Sequence, residues 1–259
     1  MTATAAKRRH PLAGGVVVLL GLLVTGLLYA AFVPSAAGAA TGTDDVAAGK
    51  ALFLANCSTC HGTAAEGRNN APSLIGVGAA AVDFQVSTGR MPLAATGPQA
   101  PRTKNLFSDT EVRQLSAYVA SLAPGPAIPA DADTDPAKGD PAKGAKLFLT
   151  NCAMCHNFAG KGGALTQGKY APALDDSSPR VIWEAMASGP QSMPVFNDAT
   201  IKPADKQDII AYLTTIRQAP TPGGWNLGSL GPVSEGLIGW LVGLGLLIGC
   251  AVWLGAKSS

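Results

Sequence analysis

The chain has 259 residues, 31 glycines, 19 prolines and only 14% charged side chains, a composition that suits small loop-rich domains plus apolar segments better than one large soluble core. Its formal charge of +2 is located at the ends, where Lys7, Arg8, Arg9 and Lys257 flank apolar runs. Between them acidic and basic residues nearly cancel, so no basic face is implied and no nucleic acid is expected as a partner.

Lys7 to Arg9 precede an apolar stretch over residues 12–33, which Pro34-Ser35-Ala36-Ala37-Gly38-Ala39-Ala40 follows. Basic flank, apolar run and small residues make an export signal, yet the run also reaches the length of a bilayer span, about 20 residues. Residues 1–40 are therefore read as a signal or a transmembrane anchor, cleaved after the alanines or retained. Both outcomes put the following domains on the extracytoplasmic side of the cell membrane.

Asp44 and Asp45 open an expected helix that runs through Phe53 into Cys57-Ser58-Thr59-Cys60-His61. Two cysteines three apart lie on one side of a helical turn, and the next residue can place a ring nitrogen over a metal. C-x-x-C-H is the attachment signature of c-type haem, in which two thiols add to vinyl groups and the imidazole binds iron. A glycine-rich loop follows through Ala71-Pro72-Ser73-Leu74, then a short helix over residues 79–87, then Thr88-Gly89-Arg90-Met91-Pro92. Ser108 with Glu111 forms a capping box that opens a closing helix with Val112, Leu115, Tyr118, Val119 and Leu122 on one face. These elements make a first domain over residues 41–123.

Residues 124–140 are rich in Pro, Ala and Asp and contain Asp-Pro-Ala-Lys-Gly twice in succession, which reads as an extended linker. Asp140-Pro141 also supplies an N-cap and first-turn pair for the next helix. A second domain over residues 141–222 then repeats the first. GKALFLANCSTCHG at Gly49 returns as GAKLFLTNCAMCHN at Gly144, APSL at Ala71 as APAL at Ala171, STGRMP at Ser87 as ASGPQSMP at Ala187, and SAYVASL at Ser116 as IAYLTTI at Ile210. Such ordered self-similarity implies two homologous domains, each with its own haem on Cys57, Cys60 and His61 or on Cys152, Cys155 and His156. The rival readings of C-x-x-C, a redox dithiol or half a zinc site, leave the next histidine unexplained twice. The fifth cysteine, Cys250, lies in a C-terminal apolar run over residues 236–256, read as a transmembrane helix with Trp240 and Trp253 near its interfaces and Lys257 on the cytoplasmic side.

The third histidine, His10, precedes the N-terminal apolar run, so bis-histidine ligation of either iron by this chain is excluded. The sixth ligand is then a methionine, a rarer donor, a group from a partner, or an open position. Met91 in the first domain and Met193 in the second each precede a proline after a glycine-containing loop, and they are the candidates. Met154 lies inside its motif and Met186 within a helix carrying Ile182 and Trp183. Closed His/Met iron has a raised potential and no place for oxygen or peroxide. Phe53, Phe148, Trp183, Tyr118 and Tyr212 are read as haem-pocket packing, and Arg90 and Lys169 as contacts to haem propionates.

The motifs, the membrane segments and the strings at residues 71–78 (APSLIGVG), 84–92 (FQVSTGRMP), 157–165 (NFAGKGGAL) and 168–174 (GKYAPAL) together resemble the dihaem cytochrome c subunit of the actinobacterial quinol–cytochrome c reductase, the cytochrome bcc complex. The resemblance covers essentially the whole chain. It implies an all-α architecture of two tandem class-I-like cytochrome c domains with an N-terminal signal or anchor and a C-terminal membrane helix. It also implies that the chain is the electron-transfer subunit of a respiratory enzyme, beside cytochrome b and a Rieske iron–sulfur subunit, passing electrons through two haems c to an aa3-type oxidase. The quinol, expected to be menaquinol, would be oxidised on cytochrome b. Two other classes stand beside this one. A dihaem subunit like that of cbb3-type oxidases is anchored from its N-terminal side, against which the C-terminal helix counts. A dihaem peroxidase needs one open haem, against which the paired methionines count.

Overall fold

The computed structural model describes residues 13–32, 42–69, 71–218, 227 and 232–257; Lys7 to Arg9, His10, the small residues from Pro34 to Ala40 and Trp225 lie outside the described residues. The chain divides into two units, Met1–Ala40 and Thr41–Ser259. In the first, α1 (Ala13–Phe32) is an apolar helix of 20 residues, exposed from Gly15 to Leu27.

The second unit is mostly helical and contains the same arrangement twice. Helix α2 (Thr43–Asn56) carries Asp44 and Asp45 in its first turn, where negative charge complements the helix N-terminus. It gives way at Cys57 to a single turn, α3 (Ser58–His61). After the loop come α4 (Gly78–Ser87) and α5 (Asp109–Leu122). Helix α5 opens on the expected capping box, with the Ser108 hydroxyl accepting from the Glu111 amide and the Glu111 carboxylate accepting from the Ser108 amide.

Helices α2 and α5 cross at Gly49, where a β-carbon would overlap the Gln114 carbonyl oxygen. The close approach seats Phe53 against Tyr118, ring centroids 5.2 Å apart, in a core completed by Val82, Val86, Val112, Leu115 and Val119. In the second copy, α7 (Pro141–Asn151) starts at Asp140, whose side chain accepts from the amides of Ala142 and Lys143. Helix α8 (Ala153–His156) carries the motif, and α9 (Pro179–Ser188) and α10 (Pro203–Gln218) correspond to α4 and α5. Gly144 crosses the Asp208 carbonyl as Gly49 crosses that of Gln114, and Phe148 meets Tyr212 at 5.5 Å. Lys143 Nζ, on α7, pins the crossing through Asp205 and Asp208 of α10 at 2.5 and 2.8 Å. A short antiparallel hairpin, β1 (Gly163–Ala164) with β2 (Tyr170–Ala171), pairs Gly163 with Ala171 and Ala164 with Tyr170; among the described residues the first copy has only an isolated bridge there, between Arg68 and Ala71.

The segment between the copies departs from the extended linker read from its composition. Residues Asp131–Thr134 form one helical turn, α6, and Pro136–Lys138 a 3-10 turn. Gln207 of α10 donates to the carbonyls of Ala132 and Asp135, and Gly139 fits against the Gln207 carbonyl with no room for a β-carbon. Prolines stiffen the segment, but available acceptors on its turns let α10 hold it down, which composition does not reveal.

The two copies also pack on each other, through α4 and α9. Arg180 of α9 bridges Asp83 of α4 at 2.6 Å and Glu184 of its own helix at 3.1 Å. Glu184 is 0% exposed. Its carboxyl is pushed up to about 9, first by burial and then by hydrogen bonding to, and the charge of, Asp83. Its Oε2 has no hydrogen-bond partner, so a charge there is uncompensated. Finally α11 (Pro232–Lys257) contains one apolar stretch, Ser234–Lys257, long enough to cross a membrane, with mean hydropathy 2.3. It extends the expected residues 236–256 by a turn at its start, and Lys257 lies over the Trp253 ring at 4.5 Å.

Candidate haem sites

Each copy encloses one cleft. The first is lined by Cys57 and His61 from the first motif, Pro72 and Leu74 from the following loop, Val82, Gln85 and Val86 from α4, Met91, and Leu115 and Val119 from α5. The second, of about 1140 Å³ with its open volume included, is lined by Cys152, Cys155 and His156, by Pro172 and Leu174, by Ile182, Ala185 and Met186 of α9, by Met193, and by Ile209 and Leu213 of α10. Both linings are mainly apolar, as a porphyrin face requires.

The imidazoles are oriented identically. His61 Nδ1 donates to the Pro72 carbonyl at 2.8 Å and His156 Nδ1 to the Pro172 carbonyl at 3.0 Å. Fixing the proton on Nδ1 leaves Nε2 with its lone pair, the arrangement an iron ligand needs. Burial lowers the His156 pKa, which favours the same neutral ring. Nothing in the residue type marks Pro72 and Pro172 as functional. Their signal was in the sequence, in the repeated Ala-Pro-x-Leu strings, but a carbonyl acceptor is not a side chain and leaves no residue-type mark.

Burial, and then the neighbouring cysteine of each motif, raises the first thiol of both pairs, Cys152 to about 11. These thiols are therefore neutral at ordinary pH and line the apolar clefts. Cys60, one turn on, is exposed and does not line the first cleft. Met91 and Met193 both line the cleft of their own copy and pack on its core. Each is preceded by a left-handed glycine, Gly89 at φ 65° and Gly189 at φ 60°, a conformation that turns the chain off the end of α4 or α9. Met154 is 93% exposed and lines neither cleft, whereas Met186, buried in the core of the second copy, also lines its cleft from within α9.

The aromatic expectation divides. Phe53 and Phe148 line the clefts, whereas Tyr118, Tyr212 and Trp183 back them from the helix-crossing core, Trp183 beneath the Lys206 ammonium at 5.3 Å. Neither lining includes Lys169, and Arg90 lines the cleft of the second copy rather than that of its own. The reason is tertiary: the loop after α4 leaves its own domain and lies on the other.

The residues present thus fit a covalently attached porphyrin iron in both copies, with thiol, imidazole, thioether and apolar faces in one cleft. Fold and paired sites define a c-type cytochrome of two domains carried on a single apolar C-terminal helix. The family described as cytochrome c matches residues 46–123 and that described as cytochrome c oxidase, cbb3-type, subunit III matches residues 139–213. The chain is 42% identical over 272 residues to the cytochrome bc1 complex cytochrome c subunit of Corynebacterium diphtheriae, covering 97% of this chain and 96% of that one. It is 42% identical over 264 residues to the subunit of the same name from Mycobacterium tuberculosis, covering 98% and 94%. Similarity to the cbb3-type cytochrome c oxidase subunit FixPc of Rhizobium leguminosarum is 30% over 147 residues, or 53% of this chain.

The chain belongs to the family of actinobacterial cytochrome bc1 complex cytochrome c subunits. It is therefore a subunit of a respiratory enzyme complex, alongside the other bc1 subunits, and its two cytochrome c domains imply haem c binding and electron transfer. Its one long apolar C-terminal helix is consistent with a membrane-bound complex.

Proposed function

We propose that the chain carries two covalent haems c and relays electrons from the Rieske iron–sulfur centre of its complex to an aa3-type terminal oxidase. Cys57 and Cys60 would attach one haem and Cys152 and Cys155 the other, and His61 with Met91, and His156 with Met193, would hold the two irons. When bound, haem iron supplies a one-electron couple. The protein supplies attachment, orientation and exclusion of water. The proline carbonyls hold each imidazole, the Met-Pro loops would supply a thioether to each iron, and the apolar walls would keep the couple dry. Quinol oxidation belongs to the cytochrome b partner on this reading.

One observation carries the proposal beyond two independent cytochromes: Pro190 and Gln191 line both clefts. A wall shared by the two sites favours passage of an electron from one to the other within the chain. The domains stand on the extracytoplasmic side of the membrane, held there by α11. The test is purification from native membranes in mild detergent. Two haems per chain, with a cytochrome b, a Rieske protein and an aa3-type oxidase co-purifying, is the expected result. One haem per chain, or recovery without those subunits, overturns it.

A further inference from the structure

We propose that Arg90 and Arg102, both from the first domain, form the propionate-binding site of the haem in the second domain. The proposal rests on the reading that a haem occupies the His156 cleft. First-domain residues Phe84, Thr88, Arg90, Gln99 and Arg102 line that cleft, and apart from His156 they include the only ionisable cations among its described lining residues. The crossing is built rather than incidental. Gln99 donates to the Tyr170 carbonyl and accepts from the Tyr170 amide, both at 2.9 Å. The Ala100 amide donates to Gln191 Oε1 at 3.3 Å, and Arg102 Nη1 donates to the Asp176 carbonyl at 3.0 Å. Arg90 is held with its guanidinium 4.7 Å over the Phe84 ring, and its Nη1 is buried with no acceptor.

A buried guanidinium nitrogen without a partner is costly, and a second guanidinium nearby adds repulsion. Burial and then Arg102 lower the Arg90 pKa accordingly. Two anionic groups presented from the cleft would satisfy both cations, and a planar fork matches a carboxylate. Haem carries two such carboxylates. The first cleft has no Lys or Arg among its described lining residues, so the two sites differ electrostatically although they are repeats. Cations beside the propionates favour the reduced iron, so they raise the midpoint of the second haem.

The test is a redox titration of the whole chain in its membrane complex, with both haems resolved spectroscopically. Met193→His marks the second haem by shifting its midpoint alone. In R90Q/R102Q the marked haem should titrate at a lower potential, with a stronger pH dependence as its propionates lose their partners, while the first haem stays put. R90K/R102K should recover most of the shift because charge is kept. The exposed Arg68→Gln should move neither. An unmoved second midpoint, a shift confined to the first haem, or lysine variants as low as the glutamine variants would overturn the proposal. Wild-type haem content is measured first: fewer than two per chain refutes the occupancy reading itself, independently of the arginines.

Discussion

Glu184 shows how one side chain makes two domains respond to pH. Its folded pKa, about 9, lies above the ordinary 4.5. Between these values the folded chain binds more protons than the unfolded one, so its stability falls as pH rises. The contribution of Glu184 is complete below about pH 4.5 and lost through pH 9. Denaturant unfolding of wild type and Glu184→Gln from pH 5 to 9 should show a decline that the variant flattens. The methionines permit a second test at this scale. If Met91 and Met193 close their irons, reduced wild type takes up no carbon monoxide, whereas Met91→Ala and Met193→Ala each bind about one equivalent, read from the Soret band.

Among elements, the helix crossings are the least tolerant points. Gly49→Ala or Gly144→Ala would drive a methyl into a carbonyl on α5 or α10, and relief by shifting the helices would cost roughly 1–3 kcal/mol or more. Thermal unfolding should show Gly144→Ala to be at least as destabilising as Leu149→Ala, which removes an exposed side chain from the same helix. The helices themselves were legible because their signals are local: the capping box at Ser108, the Asp140-Pro141 start, and the apolar face of α5. The turns over residues 131–138 were not, since they depend on Gln207 seventy residues away. The clefts were legible by motif and repeat, including both Met-Pro loops. The reach of Arg90 into the second cleft was not, because a repeat aligns a residue with its own copy and says nothing about which copy its side chain enters.

At the scale of the molecule, the proposed anchoring of near-neutral domains by α11 implies reliance on effective concentration rather than long-range steering. Electron delivery within the intact complex should therefore change less than about threefold between 20 and 500 mM salt, a range over which exposed charges become strongly screened. Stopped-flow oxidation of the pre-reduced complex measures it, and a steep decline would point to a freely diffusing carrier.

The shared wall at Pro190 and Gln191, with the Gln99–Tyr170 clasp beside it, bears on ancestry. A gene duplication first yields two self-sufficient copies, each free to be lost. Once a loop of one copy forms part of the other's haem chamber, that freedom ends. Deleting either half would then strip a wall from the survivor, and selection acts on the pair as one heritable unit.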